Sequence, residues 1–244
     1  MSVRPMGEYM MGIETRSITS WQDLAAIADE FKTEGWIFRG VEVCTYELVP
    51  KIGRCETRKT LQGTKVGYSA EVETRAMERF KREARPHLTI EPQSELDWLS
   101  IAQHHGLPTR LLDWTESPMI AAYFALQPAG IVRNKREDAA VYGVPSVPIV
   151  RTDKECDESA EDVVAYYPQH LTPRITAQRG LFTYHKRPNQ PYNPSCFIKW
   201  VIPSEICFDL KLAVNKCGIN EASMFRDLDG LAKHVEWLYK WTLL

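Results

Sequence analysis

The side chains best suited to chemistry lie in one stretch, residues 98–126, where polar groups separate two apolar segments. Gln103 and His104 end the first segment, just before a Gly-Leu-Pro sequence at which a helix stops. Thr109 and Arg110 follow directly. Amide, imidazole, hydroxyl and guanidinium groups this close together can bind a polar or anionic ligand. We therefore expect a functional site in this stretch.

Two helices are predicted to hold these residues, with a strand or loop at residues 111–117 between them. The second helix follows Pro118, whose missing N–H suits the first turn, and it continues to residue 126. Tyr123 and Phe124 lie in this helix. Their rings either offer stacking faces to a ligand or belong to the core.

Another candidate, Arg39, lies in a short predicted strand at residues 36–39. Alternation along a strand places Arg39 opposite Trp36 and Phe38. An arginine at this position needs an anionic partner, which is either a ligand phosphate or a group of the protein such as Asp113 or a carbonyl. We also expect Arg110 and Asp113 to form an ion pair.

The remaining periodicity predicts an α+β fold with a small mixed or antiparallel core sheet and flanking helices. Helices are predicted at 21–31 after a cap at Ser20 or Thr19, and at 70–85, 204–213 and 227–239, the last with Leu228, Leu231, Val235 and Leu238 on one face. Strands are predicted at 139–150, edge-like because of its prolines, and at 174–185 and 196–202, with loops at 51–68 and 151–162. We expect a single domain over residues 1–244, with a core at 18–240 and an N-terminal extension at 1–17.

Composition excludes several classes of protein. Thirty basic and 32 acidic side chains give a net charge of −2, so no global field attracts nucleic acid or an anionic membrane. No run of 18 apolar residues occurs, which predicts a cytoplasmic protein without membrane contact. The six cysteines lack zinc-ligand spacing, and the adjacent His104 and His105 point in different directions, so no metal site is predicted.

Four blocks in order resemble the FRG domain family, which is named for a Phe-Arg-Gly tripeptide. The blocks are WIFRG at 36–40, QHHGLPTRLLDWTESPMIAAYFAL at 103–126, RITAQRGLFTYH at 174–185 and CGINEASMFRDLDGLAKHV at 217–235. The resemblance spans most of the chain. It gives a domain assignment and leaves the activity to be argued from the residues.

The order of the polar groups is also similar to that in ADP-ribosyltransferases of the Arg-Ser-Glu type. In that family an Arg-Gly pair on the first strand binds the dinucleotide, a Ser/Thr-rich strand precedes an apolar helix, and a later strand supplies Glu. The resemblance implies a split sheet, NAD as the substrate, and transfer of ADP-ribose to a protein or nucleic-acid acceptor, or hydrolysis of NAD. It assigns catalytic roles to Arg39, Thr115, Ser117 and Gln178, and NAD binding to Arg39, Gly40, Gln103, His104, Thr109, Arg110, Tyr123 and Phe124.

Gly40 fits the ADP-ribosyltransferase pattern, whereas Gln178 departs from it. Gly40 is expected to let the backbone approach the nicotinamide amide. Gln178 stands where the family has Glu, and a neutral amide supplies no charge to a cationic transition state. Either Asp113 or Glu116 compensates, or the activity is weak. The alternative function is a non-catalytic nucleotide-binding or protein-interaction module.

Overall fold

A computed structural model describes residues 12–32, 35–54, 58–59, 65–66, 68–88, 90–127, 137–168 and 173–241. The strands are β1 (Gly12–Ser17), β2 (Trp36–Val41), β3 (Arg58–Lys59), β4 (Lys65–Val66), β5 (Leu111–Thr115), β6 (Ala139–Pro145), β7 (Ile149–Val150), β8 (Val163–Tyr166), β9 (Gly180–His185) and β10 (Cys196–Ile202). The helices are α1 (Trp21–Glu30), α2 (Ala70–Ala84), α3 (Glu95–His104), α4 (Pro118–Ala125), α5 (Asp153–Glu158), α6 (Pro173–Ala177), α7 (Cys207–Lys216), α8 (Glu221–Phe225) and α9 (Leu228–Trp241). Short 3₁₀ helices occupy Arg85–His87 and Ser204–Ile206.

Eight strands form one mixed sheet in the order β1-β10-β6-β2-β5-β9-β8-β7, and β3 pairs with β4 separately. The β1–β10 and β7–β8 pairs are parallel, and the other neighbours in the sheet are antiparallel. Helices flank this sheet, so the predicted α+β class with a mixed sheet is confirmed. The described part of the chain has no helix long and apolar enough to cross a membrane.

The sheet is least paired at its centre, where β2 meets β5. The whole of β2 pairs with β6, and the whole of β5 pairs with β9. Between β2 and β5, however, the register contains only the pair Phe38 and Thr115. The two strands therefore diverge on either side of this pair, and a cleft opens between the two halves of the sheet.

The two faces of β2 pack as its alternation predicts. Trp36 and Phe38 lie in one apolar cluster with α1 and α4, and Ile37 and Val41 lie in another cluster on the opposite face. In α1, the predicted cap is confirmed, because the Ser20 side chain accepts a hydrogen bond from the Asp23 amide. These contacts fix β2 firmly at the margin of the cleft.

The structure corrects two strand predictions. The segment predicted as an edge strand at 139–150 contains β6, which is hydrogen bonded on both sides, and only the short β7 lies at the edge. Pro145 is tolerated because it is the last residue of β6. The segment 174–185 is a strand only from Gly180 onward, since α6 occupies its first part and Arg179 turns the chain with a φ of 45°.

Two further segments differ from their predicted conformation. Residues 12–17, which the sequence analysis assigned to an N-terminal extension, form β1 and pair with β10. The predicted loop at 151–162 contains the short helix α5. Much of the predicted loop at 51–68 lies outside the described residues.

Gly40 allows β2 to lie directly against α4. A Cβ atom at this position would lie 1.9 Å from the Ala121 carbonyl oxygen and 2.6 Å from the Ala125 nitrogen. Both are backbone atoms that no change of rotamer can move. The space that a side chain would need is therefore filled by the helix, which gives Gly40 a packing role in addition to any contact with a ligand.

We expect Gly40→Ala to lower the free energy of unfolding by at least ~1–3 kcal/mol, because overpacking a rigid contact displaces backbone. Urea denaturation measures the change. Gly180→Ala is the matched control, since the nearest atom to its new Cβ is 3.6 Å away. Equal stability of the two variants would contradict the close approach of β2 and α4.

Candidate functional site

The cleft between β2 and β5 holds a cavity of about 470 Å³. β2 and β5 form its two sides, and residues from the ends of α3 and α4 and from the start of β9 close it. Many of the site residues predicted from the sequence line this cavity. They are Arg39, Gly40, Gln103, His104, Thr115, Phe124 and Gln178. They come from separate segments of the chain, which the fold brings together.

Arg39 reaches across the cleft from β2 to β5. Its Nη1 atom donates a 2.6 Å hydrogen bond to the Asp113 carbonyl oxygen and lies 3.5 Å from the Asp113 carboxylate. The guanidinium thus takes the place of a backbone donor at the point where the strands have separated. Of the two partners considered for Arg39, the structure shows the protein's own carbonyl and carboxylate, while the side chain still lines the cavity.

The Asp113 carboxylate is oriented by a chain of hydrogen bonds. Gln103 Nε2 donates to Asp113 Oδ2 at 3.0 Å, and the buried Thr109 hydroxyl donates to Gln103 Oε1 at 2.8 Å. Thr109 Oγ1 in turn accepts from the Leu111 amide at 3.1 Å. A carboxylate can only accept hydrogen bonds, so the Gln103 amide must present its NH₂ to Asp113 and its oxygen to the Thr109 hydroxyl. Thr109 therefore acts behind the cavity lining as a positioning residue.

The cavity lining also contains two cations that the sequence analysis did not select, Lys51 and Arg54. Lys51 Nζ donates to the Gly106 carbonyl at 2.9 Å. Burial lowers the pKa of Arg54, and the nearby positive charge of Arg39 lowers it further. The negative charge of Asp113 acts in the opposite direction on this pKa, although no described carboxylate lies within ion-pair distance of the Arg54 guanidinium. Both residues lie in a segment whose composition is typical of a solvated loop, so the sequence carries no distinct signal for them.

Thr115 and Gln178 meet at the end of the cleft. The Thr115 hydroxyl donates to the Gln178 carbonyl at 2.8 Å, and Gln178 Nε2 donates to the Met224 carbonyl at 3.3 Å. The two predicted site residues are therefore adjacent, and their polar groups hold α6, α8 and β5 together. Ser117 lies outside the cavity lining and caps α4, where its side chain accepts from the Ile120 amide at 3.4 Å.

Arg110 lies outside the cavity lining, and its predicted pairing with Asp113 is wrong. Its Nε and Nη2 atoms donate to the two carboxylate oxygens of Glu73 at 2.8 and 2.6 Å, and it also bonds to Tyr68 and Tyr184. Residues three apart in extended chain point to opposite faces, which separates Arg110 from Asp113. Hydrogen bonding to Glu73 raises the pKa of Arg110.

Of the two roles considered for the rings of Tyr123 and Phe124, Tyr123 packs in the core and Phe124 faces the cavity. Tyr123 is buried in the apolar cluster beneath α4 and is absent from the cavity lining. Phe124 is half-buried and lines the cavity. Of these two residues, only Phe124 offers a ring to a ligand.

A buried polar chain supports the cavity wall behind Trp114. The Trp114 indole donates to Thr183 Oγ1 at 2.8 Å, and this oxygen lies 2.8 Å from His185 Nε2. Burial lowers the pKa of His185 to about 3, and the positive charge of Arg39 contributes. The imidazole is consequently neutral at physiological pH, which allows it to accept a hydrogen bond from the hydroxyl.

Most of the residues that form the cleft lie in a range of the sequence that matches a known domain family. Residues 34–131 match the model of the FRG domain family. The chain contains an FRG domain. Comparisons with curated proteins and with solved structures found no match. The matched range includes β2, α3, β5 and α4, so the FRG domain supplies both sides of the cleft, and residues 175–182 contribute from outside the range.

We expect Glu73→Ala to lower the free energy of unfolding by ~3–5 kcal/mol, because it leaves the largely buried Arg110 without its carboxylate. Thermal and urea denaturation measure the loss. Glu71→Ala on the same helix is the control, since the Glu71 side chain is 72% exposed and its exposed pair with Arg75 contributes little. A change of equal size in both variants would contradict a structural role for the Glu73–Arg110 pair.

Proposed function

We propose that this chain binds NAD in the cleft between β2 and β5 and cleaves it to nicotinamide, transferring ADP-ribose to a protein or nucleic-acid acceptor or to water. The observation that carries the proposal is the convergence of Arg39 and Arg54 with the oriented carboxylate of Asp113 on one cavity. The residue order shared with ADP-ribosyltransferases supports the same assignment.

The charges of the cavity suit a pyrophosphate. A guanidinium presents paired N–H donors that match two phosphate oxygens, and two guanidinium groups can share one pyrophosphate. Arg54 is available because no described carboxylate lies within ion-pair distance of it, and Arg39 contacts Asp113 through Nη1. Phe124, Trp114 and the exposed Tyr46 supply aromatic surface along the same lining, where a base can stack.

The chemistry requires a carboxylate beside the ribose. When the bond between ribose and nicotinamide breaks, its electron pair leaves with the nicotinamide nitrogen, and the ribose carbon becomes cationic until a nucleophile adds to it and loses a proton. A fixed negative charge stabilises that cation. Gln178 is neutral, and Glu116 is absent from the cavity lining, where it accepts instead from the Tyr167 hydroxyl at 3.2 Å. Of the two carboxylates in the described lining, Glu42 and Asp113, the Asp113 carboxylate is the one that the Gln103 amide orients, so we assign this role to Asp113.

A second candidate function is nucleotide binding without turnover. It is favoured by the bonding of Thr115 to the Gln178 carbonyl and of Gln178 to Met224, which occupies two groups that the resemblance assigns to catalysis. The Arg39 charge, 3.5 Å from Asp113, also reduces the negative potential available to a transition state.

Binding is tested by calorimetry with NAD. We expect Arg54→Ala to weaken binding by about 10- to 100-fold, because a hydrogen bond to a charged group contributes ~1.5–3 kcal/mol. The melting temperature should change little, since no described carboxylate lies within ion-pair distance of Arg54. Arg79→Ala is the matched control, as its side chain is 74% exposed on α2. Absence of NAD binding by the natural chain, or equal affinities of both variants, would refute the proposed site.

Turnover is tested by measuring nicotinamide release. Loss of one preorganised electrostatic group costs about 100- to 1,000-fold in rate, so we expect Asp113→Asn to reduce kcat by this factor with little change in NAD affinity. Gln178→Glu should raise kcat by restoring the second carboxylate. Glu116→Gln is the control and should leave kcat unchanged. NAD binding without release by the natural chain and by Gln178→Glu would select the second candidate function.

A further inference from the structure

Residues 51–66 carry a local excess of positive charge. The basic residues of this segment are Lys51, Arg54, Arg58, Lys59 and Lys65, and its one acidic residue is Glu56. The chain as a whole has a net charge of −2, so the rest of the sequence is acidic on balance. Lys51 and Arg54 are exposed residues that line the cavity. The positive segment therefore begins at the rim of the cleft.

The length of the chain keeps the other basic residues near the cleft. Arg58 is four residues after Arg54, and an extended chain covers at most about 14 Å over that separation. β3 and β4 pair antiparallel, with Lys59 opposite Lys65, and opposite residues have Cα atoms only ~4.5–5.5 Å apart. Lys65 consequently lies within about 25 Å of Arg54. A stacked nucleic-acid strand of about seven nucleotides spans the same distance.

Positive charges are brought together twice in this region. The pairing of β3 with β4 sets Lys59 opposite Lys65, and like charges at opposite positions of an antiparallel pair are destabilising. In the cleft, burial and the positive charge of Arg39 both lower the pKa of Arg54. A bound phosphate relieves both repulsions, because its oxygens accept from ammonium and guanidinium groups. The arrangement therefore favours an anionic ligand with several charges.

The chemistry of the region favours a single-stranded nucleic acid as this ligand. The pyrophosphate of NAD is assigned to Arg39 and Arg54, which leaves Lys51 and the basic residues of β3 and β4 for a second anion. Tyr46, which is 49% exposed, lines the same cavity. Cations beside an exposed aromatic ring are typical of sites for single strands, whose bases are free to stack. An acidic protein segment matches the charge alone, whereas every nucleotide supplies both a phosphate and a flat base.

We propose that Lys51 and the basic residues of β3 and β4 bind the phosphate backbone of a single-stranded nucleic acid, and that this strand is the acceptor of ADP-ribose. The acceptor role rests on the function proposed above, whereas the binding does not. In the transfer, an N–H or O–H group of a nucleotide bonds to the ribose carbon as the bond to nicotinamide breaks. The electron pair of the broken bond stays on the nicotinamide nitrogen, and the proton of the acceptor group passes to water.

Binding is measured by fluorescence anisotropy of the full chain with single strands of DNA and of RNA, about ten nucleotides long, as the salt concentration is raised. Each phosphate contact on a single strand contributes about −0.7 to the slope of log K against log salt, so four contacts give about −2.8. A fourfold rise in salt should therefore weaken binding about 50-fold. Binding of either strand supports the proposal. It is overturned if neither strand binds, or if a polyglutamate peptide of equal charge binds as tightly.

A double variant tests where the strand binds. Lys59→Ala with Lys65→Ala removes two phosphate contacts, so the slope should fall to about −1.4 and the same rise in salt should weaken binding only about 7-fold. The change also removes a like-charge pair, so it should not destabilise the fold. Lys154→Ala with Lys240→Ala is the matched control, since it removes the same net charge from side chains that are 80% and 57% exposed. Equal slopes for the two double variants would contradict binding at β3 and β4.

The acceptor role is tested with NAD that is radiolabelled in its phosphates, by following the label onto the oligonucleotide in a denaturing gel. We expect the natural chain to label the strand. Lys59→Ala with Lys65→Ala should lower labelling in proportion to its affinity and leave nicotinamide release without the strand unchanged. Release of nicotinamide with no labelled strand would refute the acceptor role and leave the proposed function standing. Absence of both release and label would refute the proposed function together with the acceptor role, while the salt slopes decide the binding separately.

Discussion

The hydrogen bond from Arg39 to the Asp113 carbonyl joins two halves of a sheet that share one residue pair in their backbone ladder. A sheet that diverges at its centre exposes polar backbone groups, and each must find a partner or water. Arg39 satisfies one such group with a charged donor. The same guanidinium lines the cavity, so the group that bridges the two halves of the sheet also contributes, with Lys51 and Arg54, to the positive charge of the cleft.

The cleft is kept open by contacts that lie behind its surface. On one side, Gly40 has no side chain, which allows β2 to pack directly against α4. On the other, the bonds through Thr109 and Gln103 set the orientation of Asp113, and the bond to Thr183 holds the Trp114 ring. These supports are satisfied in the protein alone, so a ligand would meet groups that are already oriented and would spend little free energy in ordering them.

The sequence predicted elements whose signals are local. Ser20 caps α1, Pro118 begins α4, and residues 196–202 form β10. Arg39, Arg110, Thr115 and Gln178 were selected as polar residues in otherwise apolar runs, and all of them except Arg110 line the cavity. Gln103 was selected from the dense group of polar side chains at the end of a predicted helix. The errors arose where distant residues decide the outcome. Arg110 is bound by Glu73 from α2, which periodicity cannot reveal, and Lys51 and Arg54 acquire a role only because their loop folds beside the cleft.

The charged and the neutral residues of the cleft are distributed differently between two parts of the chain. Every charged residue in the described lining, namely Arg39, Glu42, Lys51, Arg54 and Asp113, lies within residues 34–131, the range that matches the FRG domain. The lining that comes from outside this range is neutral: Ile175, Gln178, Gly180, Leu181 and Phe182. The FRG domain thus sets the charge that an anionic ligand would meet, and the later segment sets the shape and polarity of the facing wall. Because charge acts at longer range than shape, the FRG domain would govern the attraction of a charged ligand to the cleft, and the later segment would contribute to which ligand fits it.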